Sequence, residues 1–503
     1  MEDNYQYSQA YLEWEILESD DEISNIIFEN EIYPLSNSCV IRFNRNDQYN
    51  LSAQISGIIN HRDEIEPKGL TAAGTFVSKE NIIAQSRFHD YKFYGIVIGS
   101  DSLSPLSLDP ISFSFNADLI THKIEKKNRF LLDTEVAITS EWFLSANTNV
   151  HFPRTTKRKI NKVFTRSREG IDASDKNTIQ EGSSSSRDHI LGKAEDFSFV
   201  LSNVPKAFGP KWSFNLAIEY RKSLGRIPTL EERKAISEIV SFVFGTQLLK
   251  VGHSNYDHSE NLISGTFEKP WGDNVIAKCS KHGTPPIFIG HCNDWNRAEK
   301  ILNELVIPYM ALRDELSLNN CLWKYWIAKH STIGTNLPIL SSAIETLAAR
   351  VIKKHPEVKH YYINHEVFSK LLNPELLSIV KKIGVELSRN YPDDQVRAIQ
   401  EIISNKLKNS SQRGANEKMT MFFEIINLPI AEIEKSAMRA RNKMAHASNS
   451  ITNDDEIMEI VRLTRAYETL FHRIILRLLG FSGIYTDYYT FGHPNRNLDE
   501  PIP

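Results

Sequence analysis

The stretch NDDEIMEIVRLTRAYETLFHRIILRLLG, Asn453–Gly480, decides how the C-terminal part of the chain is read. Asn453 or Asp454 is a cap, since either side chain can accept from the open N–H groups of a first helical turn. Ile457, Ile460, Val461, Leu463, Leu470, Phe471, Ile474, Ile475 and Leu478 then form one apolar helical face, and Gly480 ends it. Working backwards, Ile344, Leu347, Ala348, Val351 and Ile352 repeat the helical spacing, as do Ile301, Leu302, Leu305, Val306 and Tyr309. The pattern turns helical at about Asp294.

Before that point the apolar residues alternate. Cys39–Phe43, Tyr94–Ile98, Ile111–Phe115 and Phe130–Ile138 read as strands, short and regularly spaced, as in sandwich-like or barrel-like sheets. One helix is embedded among them, opened by the capping box Thr229-Leu230-Glu231-Glu232. The expected fold class is therefore α+β: a β-rich region over residues 1–293 and an all-α region over 294–503. Residues of about 153–193, with the run Gly182-Ser183-Ser184-Ser185-Ser186, read as a long exposed insertion.

The 503 residues are 41% hydrophobic and 24% charged, an ordinary globular balance that excludes global disorder. Four cysteines exclude a disulfide scaffold. No basic-then-apolar leader opens the chain and no apolar run approaches ~20 residues, so a cytoplasmic protein without a membrane span is expected. The net charge of −4 excludes a DNA-coating protein, but it averages unlike segments. Residues 1–41 carry acids and no Lys or Arg, and could screen a basic path. Arg154, Lys157, Arg158, Lys159, Lys162, Arg166 and Arg168 form a basic run, read as a solvated loop or a phosphate-contacting arm.

Chemistry concentrates in Met438-Arg439-Ala440-Arg441-Asn442-Lys443-Met444-Ala445-His446, at the end of a helix expected to begin at Pro429. Glu432 and Glu434 sit early and the bases late, as the helix dipole favours. The looser pattern Arg-x4–6-His also occurs as Arg350/His355 and Arg465/His472. Requiring Asn directly after Arg lowers the chance expectation to about 0.1, and only Arg441-Asn442…His446 survives. On an ideal helix Ile430, Ile433, Ala437, Ala440 and Met444 make the core stripe, and Arg439, Asn442 and His446 share the far face. Arg441 falls at the edge of the stripe, on the order of 140° from His446, where a charge needs a partner or an interface. Either the helix distorts near His446 or Arg441 works across a dimer, leaving Arg439 as the same-chain phosphate contact.

The motif Arg441-Asn442-x3-His446, placed in a helical domain before a short polar loop and a long last helix, resembles the HEPN ribonuclease superfamily. The β-rich front half and overall size look like its ApeA-type anti-phage members. The resemblance implies a HEPN-type helical bundle that acts as a metal-independent endoribonuclease with no cofactor. By carry-over, Arg441 and His446 are the catalytic positions, Asn442 their polar companion, and Arg439 and Lys443 the flanking substrate-binding bases. It also implies a homodimer through the helical domain and a toxin-like role in abortive infection, silent until a phage-derived trigger appears. RNA is the expected partner, with tRNA a candidate. Many members carry a helical Glu followed four residues later by a base; here Glu345 is followed by Ala349, with Arg350 one position late.

The chemistry suits these residue types. RNA carries its own nucleophile, the 2′-hydroxyl. A His can take that proton or protonate the leaving 5′-oxygen, and Arg can stabilise the added negative charge. The products would be a 2′,3′-cyclic phosphate and a 5′-hydroxyl. The alternative is a non-catalytic helical binding or dimerisation module in a regulatory or toxin–antitoxin complex.

Other features carry less. Cys279-x2-His282 and His291-Cys292 lack a standard zinc spacing, so no metal site is expected there. The aromatic tail Ile484–Phe491 is read as packing back onto the fold. No Gly-x4-Gly-Lys-Ser/Thr loop or Gly-x-Ser-x-Gly elbow occurs.

Overall fold

The computed structural model describes residues 21–28, 31–45, 49–59, 82–95, 97–105, 113–145, 189–203, 214–259, 261–270, 283–289, 295–355, 365–408, 413–445 and 453–503. The chain divides into two compact units, Met1–Met310 and Ala311–Pro503. The first is built on an antiparallel sheet and the second on helices, so the protein is α+β.

Among the described residues, fourteen strands form the sheet. They are β1 Asp21–Phe28, β2 Glu31–Arg45, β3 Leu51–Ile59, β4 Ile82–Ser86, β5 His89–Tyr94, β6 Val97–Pro105, β7 Phe113–Thr121, β8 Lys123–Asn128, β9 Ile138–Ser145, β10 His189–Lys193, β11 Phe197–Asn203, β12 Phe214–Gly225, β13 Leu249–Tyr256 and β14 Leu262–Glu268. Their order is β10-β11-β12-β9-β13-β14-β8-β5-β4-β1-β2-β3-β7-β6. The short strand spacing leads to sandwich-like or barrel-like sheets as the expectation; hydrogen bonding joins all of these strands into one. So long a sheet must curl, and it does. Arg45, at the end of β2, donates to the carbonyls of Val251 (2.5 Å) and Glu268 (2.7 Å) on strands far from it in the order. Tyr49 packs with Trp142, Leu144, Ala217, Leu249 and Val251.

Strand burial follows position. β4 alternates buried and half-buried, as for one covered face. The described part of β9 is buried on both faces, with Trp142 opposite Ala217 of β12 and Gly252 of β13. One covering layer is helix α1, Leu230–Phe244. The capping box forms as the sequence indicates: Glu232 N donates to Thr229 Oγ1 (3.3 Å) and Thr229 N to Glu232 Oε2 (2.7 Å). Gly245 ends it at φ 64°, where an added Cβ would stand 2.1 Å from the Thr284–Pro285 backbone. Buried Glu141 of β9 is matched by Arg233 of α1 (3.2 Å) and Lys250 of β13 (2.9 Å).

Several features differ from the sequence reading. Phe130–Ile138, read as a strand, runs through turns, and β9 begins only at Ile138. His189–Lys193, assigned to the insertion, forms the edge strand β10, with Ile190 and Leu191 buried. Helix α2, Trp295–Leu312, falls mostly with the sheet unit, although the pattern turns helical at 294. The reason is side-chain pairing to that edge. Leu191 N donates to Glu299 (3.0 Å), Lys193 N to Asn303 (2.7 Å), and Asn303 Nδ2 back to the Leu191 carbonyl (3.2 Å). The acidic N-terminus is also partly built in: residues 21–28 and 31–45 are strands, so only residues before 21 remain for any screening role.

The helical unit contains α3 Leu318–His330, α4 Asn336–Lys354, α5 Asn373–Leu387, α6 Asp393–Lys408, α7 Ala415–Ile425, α8 Glu432–Ala445 and α9 Asp454–Leu478. A π-helical turn, Phe368–Leu372, precedes α5. Helix α4 is central, packing on α3, α7, α8 and α9. Of the two possible caps of α9, Asn453 serves, accepting from Glu456 N at 2.9 Å. Gly480 follows the helix at φ 75°. After it, β15 (Ile484–Thr486) and β16 (Asn495–Asn497) form a small hairpin. Tyr485, Leu498 and Ile502 are buried, so this tail packs on the fold, while Phe491 is fully exposed.

Among the described residues, two charged clusters inside this unit tie α9 to other elements. Arg473 of α9 and Glu434 of α8 form an ion pair with both side chains fully buried. Arg473 also donates to the carbonyls of Pro429 (3.0 Å) and Leu498 (2.9 Å) and lies over the Tyr485 ring. In the second cluster, Glu468 takes Lys329, Arg465 (3.0 Å) and the Tyr325 hydroxyl (3.1 Å), and that hydroxyl also meets His472 Nε2 (2.9 Å). Burial opposes the Glu468 charge, but Lys329 and Arg465 hold its carboxyl well below the usual range.

Burial pushes His472 down to about 3. The unfolded chain then binds a proton near pH 6.5 that the folded chain refuses. Stability is expected to fall as pH drops below 6.5, by about 2 kcal/mol at pH 5. Denaturation midpoints should show this slope, and His472→Gln should flatten it. An unchanged slope would place the titration elsewhere, for instance at half-buried His253 of the sheet unit, whose depression to about 3 has the same sign.

Candidate functional site

Helix α8 begins at Glu432, three residues later than Pro429 led us to expect. Glu434 causes this: its carboxylate accepts from Ala431 N at 2.8 Å while pairing with Arg473. The pair ties the start of α8 to α9 and sets its rotation. Glu434 and Ala437 are fully buried, whereas Ile430, Ile433 and Ala440 are half-buried. The buried face is thus turned from the expected apolar stripe toward the side that carries Arg441. The sequence placed Glu434 only as an early acid favoured by the helix dipole; it is also an internal anchor.

Arg441, two turns after Glu434, consequently faces α4. Its Nη1 donates to Ser341 Oγ at 2.9 Å and forms an ion pair with Glu345. Ser341 Oγ donates to Glu345 Oε1 at 3.2 Å, so the two α4 residues, one turn apart, grip the same guanidinium nitrogen. Tyr467 of α9 lies behind, buried and hydrogen-bonded to Ser341, and burial pushes its phenol up to about 12. Three helices therefore meet at Arg441. The charge at the stripe's edge finds its partner within its own chain. The Arg441 side chain is 25% exposed and that of Glu345 44% exposed, so the pair sits at the surface, open to a ligand. The other N–H groups of Arg441 have no partner among the described residues, leaving donors for an anion.

The remaining motif residues are placed less fully. Arg439 is exposed and ion-pairs with Glu432 two turns back, so a phosphate would compete with that carboxylate. Asn442 and Lys443 lie on α8, but their side chains are outside the described residues. His446 also lies outside them, directly after the last residue of α8, as do the basic run 154–168 and Cys279, His282, His291 and Cys292. Among the described residues no group of three or more metal-ligating side chains occurs, and no helix is long and apolar enough to cross a membrane.

The competing pairs separate cleanly. His472 is buried and bound to Tyr325, and Arg465 is committed to Glu468, so this pair is internal. Arg350 is exposed on α4, away from the Arg441 grip, which takes Ser341 and Glu345. No family model, curated protein or solved structure matches the chain.

Sequence reasoning found Arg441 and its need for a partner but left Glu345 without one. The available signal was Ser341-x3-Glu345 beside an apolar helical face of Leu337, Leu340, Ile344, Leu347 and Val351. A Ser and a Glu one turn apart on such a helix make a ready seat for a buried-edge guanidinium.

Proposed function

We propose that the helical unit is a metal-independent endoribonuclease of the HEPN type. The observation that carries this is the Arg441 guanidinium, fixed by Glu345 and Ser341 at a surface, five residues before His446. In this reading Arg441 binds the scissile phosphate and stabilises its added negative charge, and His446 moves the proton of the 2′-hydroxyl or of the leaving 5′-oxygen. Asn442 orients the His446 ring, and Arg439 and Lys443 engage flanking phosphates. Two copies share the site, the sheet unit senses or restrains, and the biological role is anti-phage defence through loss of an RNA such as tRNA.

The test is purified protein with RNA in excess EDTA, followed by end-group analysis. Cleavage leaving 2′,3′-cyclic phosphate and 5′-hydroxyl ends is expected. A requirement for magnesium, or 3′-hydroxyl ends, would overturn the mechanism. Mixing Arg441→Ala with His446→Ala protein should partly restore cleavage if the site is shared.

Glu345 acts here as a positioning residue. Glu345→Gln keeps a hydrogen-bond acceptor but loses the charge that holds Arg441. Cleavage is expected to fall between about 10-fold and 10²-fold, mostly in kcat, with an unchanged melting temperature. Glu345→Asp should recover part of the loss. A fall confined to stability would make the contact merely structural.

A further inference from the structure

We propose that the inner face of the curled sheet holds a binding site for a small phosphorylated molecule, built around Ser140, Ser254 and Trp142. The observation is a row of polar side chains buried in the sheet unit. Strand pairing sets Glu219 of β12 opposite Ser140 of β9, and Ser140 opposite Ser254 of β13. Ser254 in turn lies opposite Gly265 of β14, Gly265 opposite Lys126 of β8, and Lys126 opposite Tyr91 of β5. Directly opposed residues share a face, so these positions form one row across six strands. No side chain in it is more than 6% exposed. Two residues along their strands, on the same face, stand Arg221, ion-paired with Glu219, and Trp142, both buried.

Such a row works against the fold. Interiors pair their polar groups, yet Ser140 Oγ, Ser254 Oγ and Trp142 Nε1 are buried without a hydrogen-bond partner among the described residues. Apolar clusters flank the row on both sides. Ala137, Ile138, Tyr256 and Leu262 pack toward one end of the strands, and Tyr49, Leu144, Leu249 and Val251 pack with Trp142 toward the other. Small apolar residues at 140 and 254 would join the two clusters and leave no orphaned hydroxyl. The floor is also shallow, since Ser140 and Ser254 adjoin Ala217, Gly252 and Gly265 on neighbouring strands. The Phe267 ring bounds it, 3.3 Å from where a Gly265 Cβ would stand.

Position and chemistry name the occupant. Ser140 and Tyr91 each follow the first residue of their strand by two, and Ser254 and Lys126 each precede the last by two. In antiparallel strands this puts the row one step inside a single end of the curled sheet, where such sheets take small molecules. An indole N–H only donates and a serine hydroxyl can donate. Arg221 and Lys126 bring positive charge toward the two ends of the row. A phosphate group offers three strong acceptor oxygens and so takes several such donors together. The site belongs to the sheet unit and stands whether or not the helical unit cuts RNA.

The test is thermal melting of the full-length protein with ribose 5-phosphate or adenosine monophosphate, against ribose with sodium chloride at matched ionic strength. At 100 times its dissociation constant, a phosphorylated probe should raise the melting temperature by about 5 °C, and ribose with salt should not. Without a probe, Ser140→Ala/Ser254→Ala should melt at or above the wild-type temperature, because two orphaned hydroxyls are gone. With the probe, its shift should be lost. No shift in the wild type with either phosphorylated probe overturns the proposal, as does a shift that ribose reproduces or that the variant retains. A variant melting well below the wild type without a probe also overturns it, since the hydroxyls would then serve buried water.

Discussion

His446→Ala is expected to slow RNA cleavage by about 10²-fold to 10⁴-fold, the range contributed by one positioned proton-transfer group. The fold should not change, because α8 is held by Glu434, Ala437 and Arg441, all of which remain. Arg441→Ala should cost about 10²-fold to 10³-fold, as for loss of one donor to a developing oxyanion. Arg441→Lys should rescue poorly: a lysine ammonium cannot hold Ser341 and Glu345 while presenting a second pair of planar donors. The two losses together should be less than their product, since both act on one transition state. A single 2′-deoxy substitution at the cleaved nucleotide should abolish the reaction by removing the nucleophile. Full cleavage by the His446→Ala protein would leave the helical binding module as the surviving reading.

The largest stability effect is expected at Arg473. Arg473→Ala strands a fully buried Glu434 carboxylate, and it also removes donors from the Pro429 and Leu498 carbonyls. Breaking such a pair costs about 3–5 kcal/mol, and for a unit of this size that is on the order of 10 °C in melting temperature. Start of α8, body of α9 and C-terminal tail all loosen together, because one guanidinium joins them. Replacing both partners with apolar residues, as in Glu434→Leu with Arg473→Met, should recover much of the loss by leaving no orphaned charge. Denaturant midpoints of the three proteins measure this cycle. Additive losses in the double variant would show that the pair contributes no coupling.

Local signals were the legible ones. The Thr229–Glu232 capping box, the Asn453 cap, the Gly480 end and the apolar faces of α4 and α9 all follow from residues within one or two turns, and all are present. What escaped was long-range pairing of polar groups. Glu434 looks like no more than a dipole-favoured acid until Arg473, far along the chain, is beside it. His189–Lys193 looks like the end of a polar insertion until β11 offers a hydrogen-bonding edge. Ser341 and Glu345 have no local reason to be more than a polar pair on α4. Periodicity could place Arg441 at the margin of a core; only packing of three helices could say which side chains would meet it there.

The strand order also bears on the basic run that the sequence singles out. Ser145 ends β9 and pairs with Phe214, while His189 begins β10 and pairs with Ser202, beside Asn203 at the end of β11. Both attachment points of the 146–188 segment therefore lie at one end of the sheet, three strands apart, or about 14 Å. The segment has roughly 140 Å of contour for that gap. The sheet fixes only where this segment leaves and where it returns, and closing a connection costs only logarithmically more as it grows. The seven bases between Arg154 and Arg168 belong to that connection, so the strand pairing itself sets neither their number nor their spacing.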